Sequence, residues 1–295
     1  MTRLGKTVLA LAAAAAVGYA LVVSLFPSWS WRQKLTVAVE TAEGEKSGSA
    51  VVEVGWSVDT FNPGNPGRAH DRLRGEATIV DLGGGKYLFA LLGGAEGLAQ
   101  YVLLDKAMLN TSMAERGSAL QQVGLSGEAP STLYPLLVTF TDIADPKTVK
   151  RVDPDDLDAA FGLCPDGTGL NDAEAPWRAA GLIWRRWARW QASGLTLDAY
   201  KAKYEGRVLP EWIEALDRMI TPRDRSTDCR RLKAMTLTIT DEKVTEGRVE
   251  AVFTKAFFER WRDIHKEAIA RGFNDPYFKT LLANLMRGDF QRKVK

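Results

Sequence analysis

Histidine is nearly missing from this 295-residue chain, which carries only His70 and His265. Two distant imidazoles and two cysteines, Cys164 and Cys229, offer none of the short ligand spacings of a zinc site. His70, beside Asp71, reads as a loop residue and His265 as part of a helix, so neither reads as a catalytic base. No Gly-x-Ser-x-Gly turn supplies a serine nucleophile. A dominant charge is missing too. The formal net charge is +2, and setting aside Arg3 and Lys6 leaves basic and acidic residues equal in number. The body therefore has no basic excess with which to hold nucleic acid. A phosphate-cradling loop is not expected either. Gly83-Gly84-Gly85-Lys86 is followed by Tyr87, not by a hydroxyl residue opening a helix, and reads as a hairpin turn between strands over 77–82 and 87–92. Asp153, Asp155 and Asp156 lack the bent glycine loop and distal glutamate of a calcium site. An aspartate cap at Asp153, Pro154 at the first helical position and acids in the first turn account for them as a helix start. No metal or cofactor is expected.

The conspicuous presence is a run of apolar or small residues over 8–26, behind Arg3 and Lys6 and uninterrupted by charge. Its length suits a single transmembrane helix. The competing reading is a cleaved secretory signal with Gly18-Tyr19-Ala20 at the cut. A cut after Ala20 strands Leu21-Val22-Val23-Ser24-Leu25-Phe26 as a greasy end, so retention as a signal anchor is the reading taken. Pro27, Trp29 and Trp31 then fall where aromatic residues sit at headgroup level, followed by Arg32 and Lys34. The expected address is the bacterial inner membrane, single pass, with the N-terminus in the cytoplasm and the body in the periplasm.

With 45% hydrophobic and 26% charged residues, the body is ordinary for a folded protein. Strands are expected over 35–39, 50–56, 77–82, 87–92 and 136–140, helix over 96–109, a strand over 232–241, and helices from 245 onward. The expected class is α+β: an N-terminal transmembrane helix, a β-hairpin-rich body, a helical insertion and a helical C-terminus. The boundaries are 1–31 for anchor and interface segment, 32–171 for the β-rich body, 172–228 for an inserted helical lobe, and 229–295 for a final strand and helices. Cys164 and Cys229 flank the lobe. In an oxidising compartment a bridge between them staples its neck; otherwise they are two separate thiols. Inside the lobe Trp177, Trp184, Trp187 and Trp190 lie near one face of a basic amphipathic helix, with Arg178, Arg185 and Arg189 away from it. That face either packs on a second helix around 209–219 or, where exposed, contacts a partner or lipid. Arg287, Arg292, Lys293 and Lys295 read as a solvated basic tail.

Leu137-Val138-Thr139-Phe140-Thr141-Asp142-Ile143, Asp145-Pro146-Lys147-Thr148-Val149 and Val152-Asp153-Pro154-Asp155-Asp156-Leu157, through Phe161-Gly162, form a continuous block. Together with Leu232-Lys233-Ala234-Met235-Thr236-Leu237-Thr238-Ile239-Thr240-Asp241, it resembles a family of membrane-anchored proteobacterial envelope proteins of unassigned function. The resemblance implies a membrane-associated envelope protein and transfers no catalytic residue. The residues point away from an enzyme and toward a binding or assembly component with a protein partner in the envelope. The alternative is a cell-wall-directed hydrolase using carboxylates that the sequence does not single out.

Overall fold

A computed structural model of the chain describes residues 27–59, 68–162 and 229–293, with isolated positions 13, 15, 18 and 199. Apart from positions 13, 15 and 18, the apolar run 8–26 lies outside these residues, as do Cys164, the four lobe tryptophans and Lys295. No helix among the described residues is long and apolar enough to cross a membrane.

Two long strands organise the body. β1 (Ser28–Thr41) and β2 (Gly44–Asp59) pair without a break from Ser28↔Ser57 to Thr41↔Gly44. The turn between them closes through Gly44, whose φ of +111° lies in the left-handed region that glycine tolerates. The β1 alternation buries Trp31, Gln33, Val37 and Val39 and leaves Arg32, Lys34 and Thr36 on the outer face. β3 (Arg68–Glu76) pairs with β2, and β9 (Arg230–Thr240) pairs with the free edge of β1. β6 (Ser126–Glu128) and β10 (Gln291–Arg292) complete a six-stranded antiparallel sheet, order β10-β3-β2-β1-β9-β6. β4 (Thr78–Asp81), β5 (Tyr87–Ala90), β7 (Leu137–Phe140) and β8 (Val149–Arg151) form a second antiparallel sheet in that order.

The second sheet lies between the first sheet and the C-terminal helices. Val80, Leu88, Ala90 and Leu137 share a core with Val37, Val39 and Met235 of the first sheet. Phe89, Val138 and Phe140 share another with α5 (Arg248–Val252), α6 (Lys255–Arg271) and α8 (Arg287–Phe290). Burial on both faces is why β5 and β7 read as continuous apolar runs. The second core is a stack of rings: Phe253 lies 4.3 Å from Phe257 and 5.0 Å from Phe89, and Phe290 meets Phe89 and Trp261 edge-on at 5.8 Å. α7 (Leu281–Asn284) closes one side of it. The other half of the first sheet is covered by α1 (Ala95–Leu103) and α3 (Met113–Ala119), with the short α2 (Lys106–Leu109) between them in sequence.

The α+β class, the hairpin through Gly83-Gly84-Gly85 and the strand at 137–140 follow the sequence reading. Three positive-φ glycines and the Asp81 carboxylate, which accepts the Gly83 N–H at 2.8 Å, make that turn. Other residues differ from expectation. Trp29 and Trp31 belong to β1 and not to an interface segment: Trp31 is 4% exposed, edge-on to Trp56 at 4.8 Å, and the Trp29 ring fills the space beside Gly117. The helix expected from Asp153 starts later, as α4 (Leu157–Phe161). Asp156 caps it by accepting the Ala159 N–H, because Asp153 and Asp156 first pair across a turn. Of the basic tail, Arg287, Arg292 and Lys293 lie among the described residues, and each makes a surface contact while its side chain stays exposed to solvent. Arg292 lies in β10 and pairs with Glu96, Lys293 Nζ reaches Glu250 Oε1 at 2.7 Å, and the Arg287 guanidinium stands 4.6 Å from the Phe258 ring centre.

Candidate functional site

The first sheet changes its cover halfway along β1, from the second sheet to α1 and α3, and a cavity of about 250 Å³ opens at that seam. It is lined by Leu35, Ala50 and Val52 of β1 and β2, by residues of the 90–98 stretch, and by Thr132-Leu133-Tyr134-Pro135. Three buried polar residues line it, and each is engaged elsewhere. Gln33, 1% exposed, donates from Nε2 to the Ala95 carbonyl at 2.8 Å and accepts the Trp31 indole N–H at 3.0 Å. Thr78 Oγ1 donates to the Leu35 carbonyl at 3.3 Å. Glu76, 2% exposed, accepts the backbone N–H groups of Gly247, Arg248 and Val249 at 2.6, 2.8 and 3.0 Å, which are the open donors at the start of α5. Among the described residues, Glu76 is the single carboxylate lining the cavity.

A second constellation gathers where the described chain stops after Gly162 and resumes at Cys229. Asp158 of α4, 4% exposed, accepts the Cys229 N–H at 2.6 Å and faces Arg230 Nη1 at 3.4 Å. The same guanidinium donates to the Gly162 carbonyl at 3.0 Å and lies 6.0 Å from the Phe161 ring centre. Lys86 Nζ, from the glycine turn, donates to the Phe161 carbonyl at 2.8 Å. The two ends of the intervening 66 residues (163–228) are thus held at one joint. Its position follows from register. Arg230 pairs with Thr41, the last residue of β1, whereas Ser28, the first, pairs with Ser57, and Val58 N–H donates to the Pro27 carbonyl. Thirteen steps of β1 at about 3.3 Å each put roughly 40 Å of strand between these ends.

The histidines are apart. His70 is exposed in β3, opposite Ser57, and not in a loop. His265 lies in α6, with Nδ1 3.2 Å from the Tyr277 hydroxyl, and burial raises that phenol above its ordinary value. Cys229 is 2% exposed. Its expected partner Cys164, like Trp177, Trp184, Trp187 and Trp190, lies outside the described residues. Gln33, Glu76, Asp158 and Arg230 were not legible as a set. Gln33 alone carries a sequence signal, a polar residue in the inward phase of a strand otherwise filled by Trp31, Leu35, Val37 and Val39.

No family model matches the chain, and comparisons with curated proteins and with solved structures return no match.

Proposed function

We propose that this protein is a membrane-tethered envelope component, a member of the family its central block resembles, that binds a protein partner and does not transform a substrate. The run 8–26 holds it in the inner membrane with the body in the periplasm, and a Cys164–Cys229 bridge closes the neck of the 172–228 lobe. The observation that carries the reading is the position of the joint. It lies at the opposite end of β1 from the residue that follows the apolar run, so a chain leaving Gly162 starts its excursion about 40 Å of strand from the tether. That separation favours a partner over the bilayer as the contact of Trp177, Trp184, Trp187 and Trp190. Two further facts support binding over hydrolysis. The two carboxylates buried among the described residues, Glu76 and Asp158, already accept backbone N–H groups, and the described residues line the cavity with one acid and not a facing pair.

The test is a pull-down of the full chain from digitonin-solubilised membranes, beside a variant in which a short Gly/Ser linker replaces 163–228. The joint makes that replacement sterically feasible, since Arg230 already touches Gly162. The expected result is one stoichiometric protein with the full chain and none with the variant, at matched circular dichroism and melting. Absence of a partner from the full chain refutes the proposal.

A further inference from the structure

We propose that the seam cavity binds one unbranched alkyl chain of about ten carbons, the acyl chain of a lipid inserted end-first. An apolar cavity of about 150 Å³ accepts benzene, so about 250 Å³ scales to roughly ten carbons. The chemistry of the inserted end follows from the hydrogen bonds already made. The Gln33 amide, the Thr78 hydroxyl and the Glu76 carboxylate all have partners inside the protein. A polar group pushed among them competes with bonds these three side chains already make and is incompletely paired, whereas Leu35, Ala50, Val52 and Leu98 offer hydrocarbon contact. Gly93 and Gly94 line the cavity and are exposed, so no side chain covers it at these two positions. Membrane lipid is the source we commit to; a free fatty acid is the other origin of the same chemistry. The inference rests on the cavity and stands whether or not a protein partner exists.

The full chain in digitonin, whose rigid steroid does not mimic an alkyl chain, is titrated with radiolabelled decanoate. Saturable one-to-one binding is expected, with adamantane carboxylate failing to compete. Leu98→Trp and Ala50→Leu, which fill the cavity from α1 and β2, are expected to weaken binding at least tenfold with unchanged circular dichroism. In the unsubstituted protein decanoate is also expected to slow amide exchange at 93–98 and 132–134, so the test does not depend on either variant folding. Mass spectrometry of co-purified material separates the sources, and a phospholipid is the expected occupant. No saturable binding, undiminished binding in a folded filled variant, unchanged exchange, or a free fatty acid as sole occupant each overturns the proposal as stated.

Discussion

Replacing Glu76 by alanine strips three backbone donors of their acceptor at once. The Val249 N–H is buried, and those of Gly247 and Arg248 are partly buried. A fully buried orphan donor costs about 1–3 kcal/mol, and donors within reach of water cost less, near 0.5–1 kcal/mol each. Removing the carboxylate also removes a negative charge from the start of α5, worth roughly 0.3–1 kcal/mol. These contributions overlap, and relief of the cost of burying the charge subtracts from them, so the expected net loss is about 3 kcal/mol. Glu76→Gln keeps one acceptor oxygen but turns an amide N–H₂ toward another donor, so it is expected to lose about 2 kcal/mol. Urea unfolding followed by circular dichroism measures both at neutral pH. A change below about 1 kcal/mol in Glu76→Ala means that water replaces the carboxylate and that Glu76 is not what fixes the 247–249 backbone against the seam.

Gly48→Ala is expected to destabilise by about 3 kcal/mol, because its Cβ falls 1.9 Å from the Ile79 carbonyl oxygen where β2 passes β4. Gly55→Ala in the same strand meets its nearest atom at 3.7 Å and is expected to be neutral in the same thermal melt; equal losses refute the close-approach argument. The hydrogen bond from Arg271, with that from the Tyr277 N–H, holds the Asp275 carboxyl below its ordinary value. A lowered folded value means stabilisation that is fully present above the ordinary aspartate value of about 3.9 and lost as pH falls through the folded value, so the stability gap between wild type and Asp275→Asn is expected to narrow as pH falls from neutrality into the acid range. A gap that widens on acidification contradicts this sign. Non-reducing mass spectrometry of protein isolated from the envelope is expected to show Cys164 and Cys229 joined, and two alkylatable thiols refute the bridge.

What the sequence shows of this fold depends on how local the cause is. Val37 and Val39 follow from strand alternation, and the glycine hairpin from three adjacent residues that tolerate positive φ. Phe89 and Phe140 look like generic apolar strand residues. The rings they stack on, Phe253, Phe257 and Phe290, are more than a hundred positions away and set the core only after the chain returns. Trp29 and Trp31 mislead because a tryptophan after an apolar run has the same composition whether it meets headgroups or Trp56 and Gly117. Glu76 meets its donors 171 residues later, and Asp158 meets Arg230 after an excursion of 72. Neither pair leaves a periodicity to read. β10, two residues long, exists because Glu76 and Gly75 present an edge to it, which no propensity of Gln291 and Arg292 foretells.

The central claim is that the body stands on the membrane by its Ser28 end, with the joint at the far end. It is tested most directly by placing a genetically encoded fluorescent residue at position 57 or at position 43 and measuring quenching by headgroup-labelled lipid in proteoliposomes. Ser57 pairs with Ser28, and Glu43 lies in the turn beyond Thr41. The account predicts strong quenching at 57 and none at 43; equal quenching at both, or stronger quenching at 43, contradicts it.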